Sequence, residues 1–164
     1  KMLEPIIGFS VFFIIIFFVI KSANKNRENL YEYLIENLKT ETELYVEQTK
    51  SSTMAIGINN GDFLFNRCDL YLTKNAIVIL GFTKDSFLKQ LSLPIILTSE
   101  LNEFSNRFPF AHVKKVNKME VENNIVKFNF GEKGITKTEV VLKLSSLKEI
   151  EITKIKQIAE ENNW

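Results

Sequence analysis

The stretch PIIGFSVFFIIIFFVI, residues Pro5–Ile20, decides how the rest of the chain is interpreted. It carries no charged residue, and phenylalanine and isoleucine crowd its second half. A helix with apolar side chains all round has no polar face to present to water, so it must be buried in protein or in lipid. The run is shorter than the roughly 20 residues that a bilayer core requires, although Met2 and Leu3 extend it.

Three interpretations of this run differ in what surrounds it. A secretory signal peptide ends in a small-residue cleavage site, but Lys21 stands close to the candidate cut after Ala23. A buried core helix is the second interpretation, and an uncleaved membrane anchor is the third. Length and composition favour the anchor, which we predict. Its spanning residues are Pro5, Ile6, Ile7, Gly8, Phe9, Phe12, Phe13, Ile14, Ile15, Ile16, Phe17, Phe18, Val19 and Ile20.

The basic residues that follow the run set the predicted orientation. Lys21, Lys25 and Arg27 come directly after it, and positively charged flanks favour the cytoplasmic side of a membrane. We therefore expect a single-pass protein of a bacterial inner membrane. The lipid bilayer is then one partner, and the carboxyl-terminal domain lies in the cytoplasm.

Residues 24–50 are predicted to form an amphipathic juxtamembrane helix. Leu30, Leu34 and Leu38 recur every four residues, and acidic side chains take many of the positions between them. Such a stripe either packs on the chain's own domain or forms a seam with a partner helix. About two heptads are too few to identify a coiled coil, so both interpretations stay open.

Beyond residue 51 the pattern changes to strands and turns. The apolar run Ala76–Leu80 predicts a strand that is buried on both faces. Asn123-Asn124 predicts a two-residue type I′ turn between the strands His112–Glu122 and Ile125–Phe130. These signals indicate a β-rich domain over residues 51–164.

Two further segments complete the domain. The segment Leu101–Ala111 is predicted to be irregular and to cover one end of the core with its phenylalanines. A carboxyl-terminal helix is predicted to begin at Ser146-Leu147-Lys148-Glu149, which has the pattern of a capping box.

About seven strands followed by one helix is a layout that resembles a pleckstrin-homology-like domain. Leu70-Tyr71-Leu72-Thr73, with a turn and Ala76–Leu80 after it, is similar to the opening of the small GRAM-like members. The resemblance covers Met54–Asn163 and implies an antiparallel β-barrel capped by the helix. The expected fold is thus α+β: a transmembrane anchor over 1–23, the amphipathic helix over 24–50 and a pleckstrin-homology-like domain over 51–164.

The resemblance also implies a function, because such domains bind proteins or lipid headgroups and carry no catalytic apparatus. Phosphoinositide-binding members place basic residues at the first hairpin, whereas Ile58–Asp62 has none. Two hypotheses follow. The first is a membrane-anchored, non-catalytic binding module that presents its domain to a protein partner. The second is a structural accessory subunit of a larger membrane protein complex.

Lysines on the last three predicted strands form the candidate binding surface. A few surplus positive charges near a bilayer would attract anionic lipid, and the same face is a possible surface for a protein partner of unknown identity. An ordinary solvated face of mixed charge is the alternative. The candidate residues are Lys114, Lys115, Lys118, Lys127 and Lys143.

Little in the sequence points to chemistry. The net charge of +1 gives no basic field for nucleic acid. His112 is the only histidine and Cys68 the only cysteine, and Cys68 lies in a strand pattern typical of a core thiol. Asp62, Asp69 and Asp85 fit no carboxylate motif. We therefore predict no enzyme, no catalytic residue, no metal and no cofactor.

Overall fold

A computed structural model describes residues 3–57, 60–84, 89–132 and 137–164, and the side chains among them except those of residues 3–10 and 60. Three helices and eight strands are assigned within these ranges. In chain order they are α1 (Leu3–Leu38), β1 (Leu44–Gly57), a short 3-10 helix (Asn60–Phe63), β2 (Arg67–Leu72), β3 (Ala76–Phe82), β4 (Ile95–Thr98), α2 (Leu101–Arg107), β5 (His112–Lys114), β6 (Val116–Glu122), β7 (Ile125–Gly131), β8 (Thr138–Ser145) and α3 (Glu149–Asn162).

The strands form one sheet in the order β5-β4-β3-β2-β1-β8-β7-β6. The long strand β1 joins its two halves, because Leu44–Lys50 pairs with β2 and Lys50–Gly57 pairs with β8. The edge strands β5 and β6 are consecutive in the chain and are separated by Lys115 alone. The sheet must therefore curl until its two edges lie close together.

The inner face of the curled sheet holds the main core. Alternate residues of the strands point inward, as the two-residue period of a strand requires, and Leu70, Phe128 and Leu142 are fully buried there. Helix α3 fills the remaining space with Ile155 and Ile158. Burying each such side chain stabilises the fold by about 1.5–3 kcal/mol.

A second core lies on the outer face of the sheet. Leu34 and Leu38 of α1 pack there with Phe104 and Phe108 of the α2 region. Strand β3 serves both cores, since alternate side chains along it belong to one cluster or the other. The prediction that Ala76–Leu80 is buried on both faces is confirmed.

Three expectations about the elements are wrong. The helix predicted to run to residue 50 ends at Leu38, and Leu44–Gly57 is a strand. The segment predicted to be irregular contains α2. The pleckstrin-homology-like layout of about seven antiparallel strands is corrected as well, because the described residues form eight strands and β4 pairs with β5 in parallel.

The predicted membrane anchor over Pro5–Ile20 is also corrected. In the parts of the chain that the structure describes, no helix has both the length and the hydropathy needed to cross a bilayer. The physical reason lies in the sequence, where the uncharged run between Glu4 and Lys21 is shorter than the roughly 20 apolar residues of a span. The single-pass topology, the bilayer as a partner and the inner-membrane location depended on that anchor and are corrected with it.

Candidate functional site

A cleft of about 470 Å³ opens where the chain passes from β5 to β6, beside the ends of β7 and β8. We call it the basic cleft. Its wall carries polar and charged side chains, and its floor is apolar. The lining residues are Phe63, Leu101, His112, Val113, Lys114, Lys115, Asn117, Phe130, Gly131, Glu132, Lys137, Thr138 and Val140.

Close backbone approach shapes one wall of the basic cleft. Gly131 has a φ of 82°, in the region that favours glycine. A Cβ on it would lie 2.1 Å from the carbonyl oxygen of Thr138, so no other residue fits without displacing β8. Asn117 Nδ2 donates a hydrogen bond to the Gly131 carbonyl oxygen at 2.6 Å. This bond ties the start of β6 to the end of β7.

Aromatic side chains form the floor of the cleft. The Phe63 and Phe130 rings meet edge to face with their centroids 6.1 Å apart. The Phe63 ring also lies 5.0 Å from the His112 ring. Both phenylalanines belong to the main core and are held by it, so the floor is rigid and apolar.

The rim of the cleft has a positive surplus. Three lysines line it against one carboxylate, that of Glu132. The ammonium of Lys137 forms an ion pair with Glu132. The hydrogen bond from Lys137, and after it the positive charge of Lys137, lowers the pKa of the Glu132 carboxyl. Among the described residues, Lys114 and Lys115 have no carboxylate within ion-pair distance. Lys114 nevertheless lies near enough to Glu132 to help lower the pKa of that carboxyl.

A charge network joins the cleft to α1. Asp62 accepts contacts from both sides: its Oδ2 lies 3.3 Å from His112 Nε2, and its Oδ1 lies 3.5 Å from an Arg27 guanidinium nitrogen. Arg27 also donates to the Leu91 carbonyl. Arg27 thereby fixes α1 to the region around Asp62, which also contacts the His112 side chain in the cleft.

The structure divides the five lysines predicted as a surface. Lys114 and Lys115 reach the cleft, whereas the Nζ atoms of Lys118 and Lys127 lie 2.5 and 2.9 Å from the carboxylate of Glu120. Hydrogen bonds from these two lysines lower the pKa of Glu120 to about 2. The two lysines share that single carboxylate and do not line the basic cleft, so they add little to its charge.

Lys143 is exposed on β8 and lines a separate depression together with Glu122 and Ile125. Sequence reasoning missed the aromatic floor and gave Asp62 no role; Phe63 and Asp62 come from the region between β1 and β2. No local pattern links that region to His112, some 50 residues away in the chain. Only the folded sheet brings them together.

The residues considered for chemistry lie apart. Cys68 is fully buried in the main core, and burial raises the pKa of its thiol to about 12. Asp69 is half-buried and accepts a hydrogen bond from the Gln48 N–H at 2.8 Å, while burial raises the pKa of its carboxyl. Asp85 lies outside the described residues. The described residues contain no group of three or more potential metal ligands.

The leucine stripe of α1 is largely occupied. Leu34 and Leu38 have no exposed surface and pack on the chain's own sheet and α2. Leu30 is half-buried. A partner helix therefore has no access to Leu34 or Leu38 while α1 is docked, which removes the seam on which the accessory-subunit hypothesis depended.

No family model and no curated protein matches the chain. A solved structure titled "Odorant Binding Protein OBP1" aligns with 76% of this chain and 85% of its own, at 11% sequence identity and a TM-score of 0.35. A likeness of that size carries no argument about fold or function. The resemblance to GRAM-like domains thus has no family model behind it.

Proposed function

We propose that the chain is a non-catalytic binding module that holds an acidic, partly apolar segment of a protein partner in the basic cleft. The observation that carries this proposal is the position of Lys114 and Lys115 beside the Phe63 and Phe130 floor. Neither lysine has an ion-pair partner among the described residues. An acidic side chain would supply one, and a neighbouring apolar side chain would cover Leu101 and Val113, the apolar lining residues that keep exposed surface.

The physical balance favours a ligand that has both properties. Exposed ion pairs contribute only about 0–1 kcal/mol each, so charge alone gives weak binding. Removing apolar surface from water adds about 25 cal/mol per Å². Phe63 and Phe130 are themselves buried, so a segment that combines the two properties gains affinity by covering Leu101 and Val113 and orientation from the lysines.

The test uses a fluorescent peptide in which glutamate alternates with phenylalanine, titrated with the full chain and followed by fluorescence anisotropy. We expect saturable binding that weakens as salt is added, because salt screens exposed charges. The double variant K114E/K115E should weaken binding about tenfold, which corresponds to about 1.4 kcal/mol.

Two controls make this result specific. Lys143→Glu reverses one charge away from the cleft and should leave the affinity within about twofold. A peptide with lysine in place of glutamate should bind at least about tenfold more weakly. Equal loss of binding in K143E and K114E/K115E, or equal binding of both peptides, would refute the proposal.

A further inference from the structure

Strand β6 is an open edge of the sheet. It pairs with β7 on one side, and no strand in the described part of the chain pairs with its other side. An edge strand presents a row of unpaired N–H and C=O groups that can template pairing with another strand. What β6 offers to such a strand follows from its register against β7.

The turn between β6 and β7 sets which residues face the open edge. Asn123 and Asn124 have φ values of 48° and 62°, as a type I′ turn requires. The residues that flank a two-residue turn form a hydrogen-bonded pair, and such pairs alternate along an antiparallel ladder. Glu122, Glu120 and Lys118 therefore bond to β7, and Met119 and Val121 direct their backbone groups outward.

The side chains of β6 alternate between the core and the outer face of the sheet. Met119 and Val121 pack against the main core, so they are held in place. Lys118 and Glu120 lie on the outer face with Glu122. Charges on an edge strand usually discourage pairing with another strand. Here Lys118 and Glu120 have opposite signs and stand two residues apart, so a second strand of the same sequence can place opposite charges beside them.

From this pattern we propose that β6 pairs antiparallel with β6 of a second copy of the chain, with the two-fold axis at Met119. In that register Lys118 of each copy lies opposite Glu120 of the other, and the Lys118–Glu120 ion pair that each chain makes within itself is exchanged for one between the copies. Two reciprocal ion pairs then flank the axis, while the outward backbone groups of Met119 bond to their counterparts. The inference uses no residue of the basic cleft and is independent of the proposed function.

The neighbouring registers are less favourable, since like charges directly opposite each other destabilise a strand pair. An axis at Glu120 places the two copies of Glu120 against each other. An axis at Val121 places Glu120 opposite Glu122 twice, and one at Lys118 opposes the two lysines. Among these registers, the one centred on Met119 has no like-charge contact.

The test measures self-association of the full chain by sedimentation equilibrium, in a non-ionic detergent that covers the exposed apolar residues of α1. We expect a reversible dimer. Lys118→Glu and Glu120→Lys should each raise the dissociation constant at least about fivefold, because each creates two like-charge contacts. The double variant K118E/E120K restores opposite charges and should return the constant to within about threefold of the parent.

Two more variants test the pairing register and the use of the open edge of β6. Glu122→Lys changes a charge that faces no charge in the proposed register, so it should leave the dissociation constant unchanged. Met119→Pro removes an N–H that β7 does not use, and it should abolish the dimer while circular dichroism shows an intact fold. A monomer at all concentrations, or a dimer indifferent to the single charge variants or to Met119→Pro, would overturn the proposal.

Discussion

At the scale of single residues, Gly81 of β3 shows how tightly one ring fits the sheet. A Cβ on Gly81 would lie 2.5 Å from Cγ and Cδ1 of Phe65, which is a closer approach than packed atoms tolerate. Phe65 is itself buried in the main core. The ring therefore occupies the space that a side chain at Gly81 would need.

We expect Gly81→Ala to lower the free energy of unfolding by about 1–3 kcal/mol, the usual cost of overpacking a core. Urea denaturation followed by the fluorescence of Trp164, the only tryptophan, measures it. Gly61→Ala is the control, because nothing lies within 4 Å of the added atom, and it should change stability by less than about 0.5 kcal/mol. Equal effects in both variants would contradict the packing argument.

At the scale of elements, the start of α3 differs from the capping box predicted at Ser146. The φ of Ser146 is 66° because the chain turns there from β8 toward the helix, and an N-cap residue needs an extended backbone instead. The helix begins at Glu149, and the Lys148 N–H donates to Glu151 Oε2 at 2.7 Å. The prediction of a helix was right, but its cap lies two residues further along the chain.

This shift in the cap gives a direct comparison. Glu151→Ala should lower the free energy of unfolding by about 1–3 kcal/mol, since it leaves the Lys148 N–H without its charged acceptor. Ser146→Ala should change it by less than about 0.5 kcal/mol. Thermal unfolding followed by circular dichroism distinguishes the two variants. A larger loss of stability in Ser146→Ala would instead support Ser146 as the N-cap residue, as the sequence predicted.

A part-buried hydroxyl contributes to the docking of α1. The Tyr31 hydroxyl lies 2.9 Å from each of the carbonyl oxygens of Gly81 and Ser92 and donates its proton between them. Tyr31→Phe should lower the free energy of unfolding by about 1 kcal/mol through that lost hydrogen bond.

Tyr33→Phe makes the same chemical change on the exposed side of α1. Its ring contacts with Phe108 and Phe110 remain, so the free energy of unfolding should stay within about 0.5 kcal/mol of the parent. Urea denaturation of the two variants side by side tests the assignment, and matching losses would show that the hydroxyl of Tyr31 contributes nothing specific.

At the scale of the whole molecule, the sequence predicted what local patterns determine. The apolar run of β3 and the Asn123-Asn124 turn each carry their signal within a few residues. Strand β1 does not, because a bulge at Gln48, with a φ of 49°, interrupts the two-residue alternation that identifies a strand. The residues before the bulge were therefore assigned to the preceding helix.

The cleft shows the same limit. Lys114 and Lys115 were predicted as a surface from charge alone, but the apolar floor beside them requires Phe63 to meet β5. That contact depends on the parallel pairing of β5 with β4 and on the closure of the sheet. Neither is encoded within any short segment, which explains why the lysines could be predicted and the cleft could not.

The two cores together make the molecule sensitive to alkali. Cys68 lies in the inner core and Tyr31 at the docked face of α1, and burial raises the pKa values of both groups, from 9.0 and 10.0 respectively, to about 12. The unfolded chain therefore loses these protons at a lower pH than the folded chain does. Because the folded state then holds more protons, the free energy of unfolding falls as the pH rises above about 9 and continues to fall toward about 12.

Urea denaturation at a series of pH values measures this dependence. Each group contributes a slope of up to about 1.4 kcal/mol per pH unit inside its window. The double variant C68A/Y31F should be less stable than the parent at neutral pH and lose less stability between pH 9.0 and about 12. If both proteins show the same slope, the alkaline loss arises from other groups, and the burial of these two side chains does not control it.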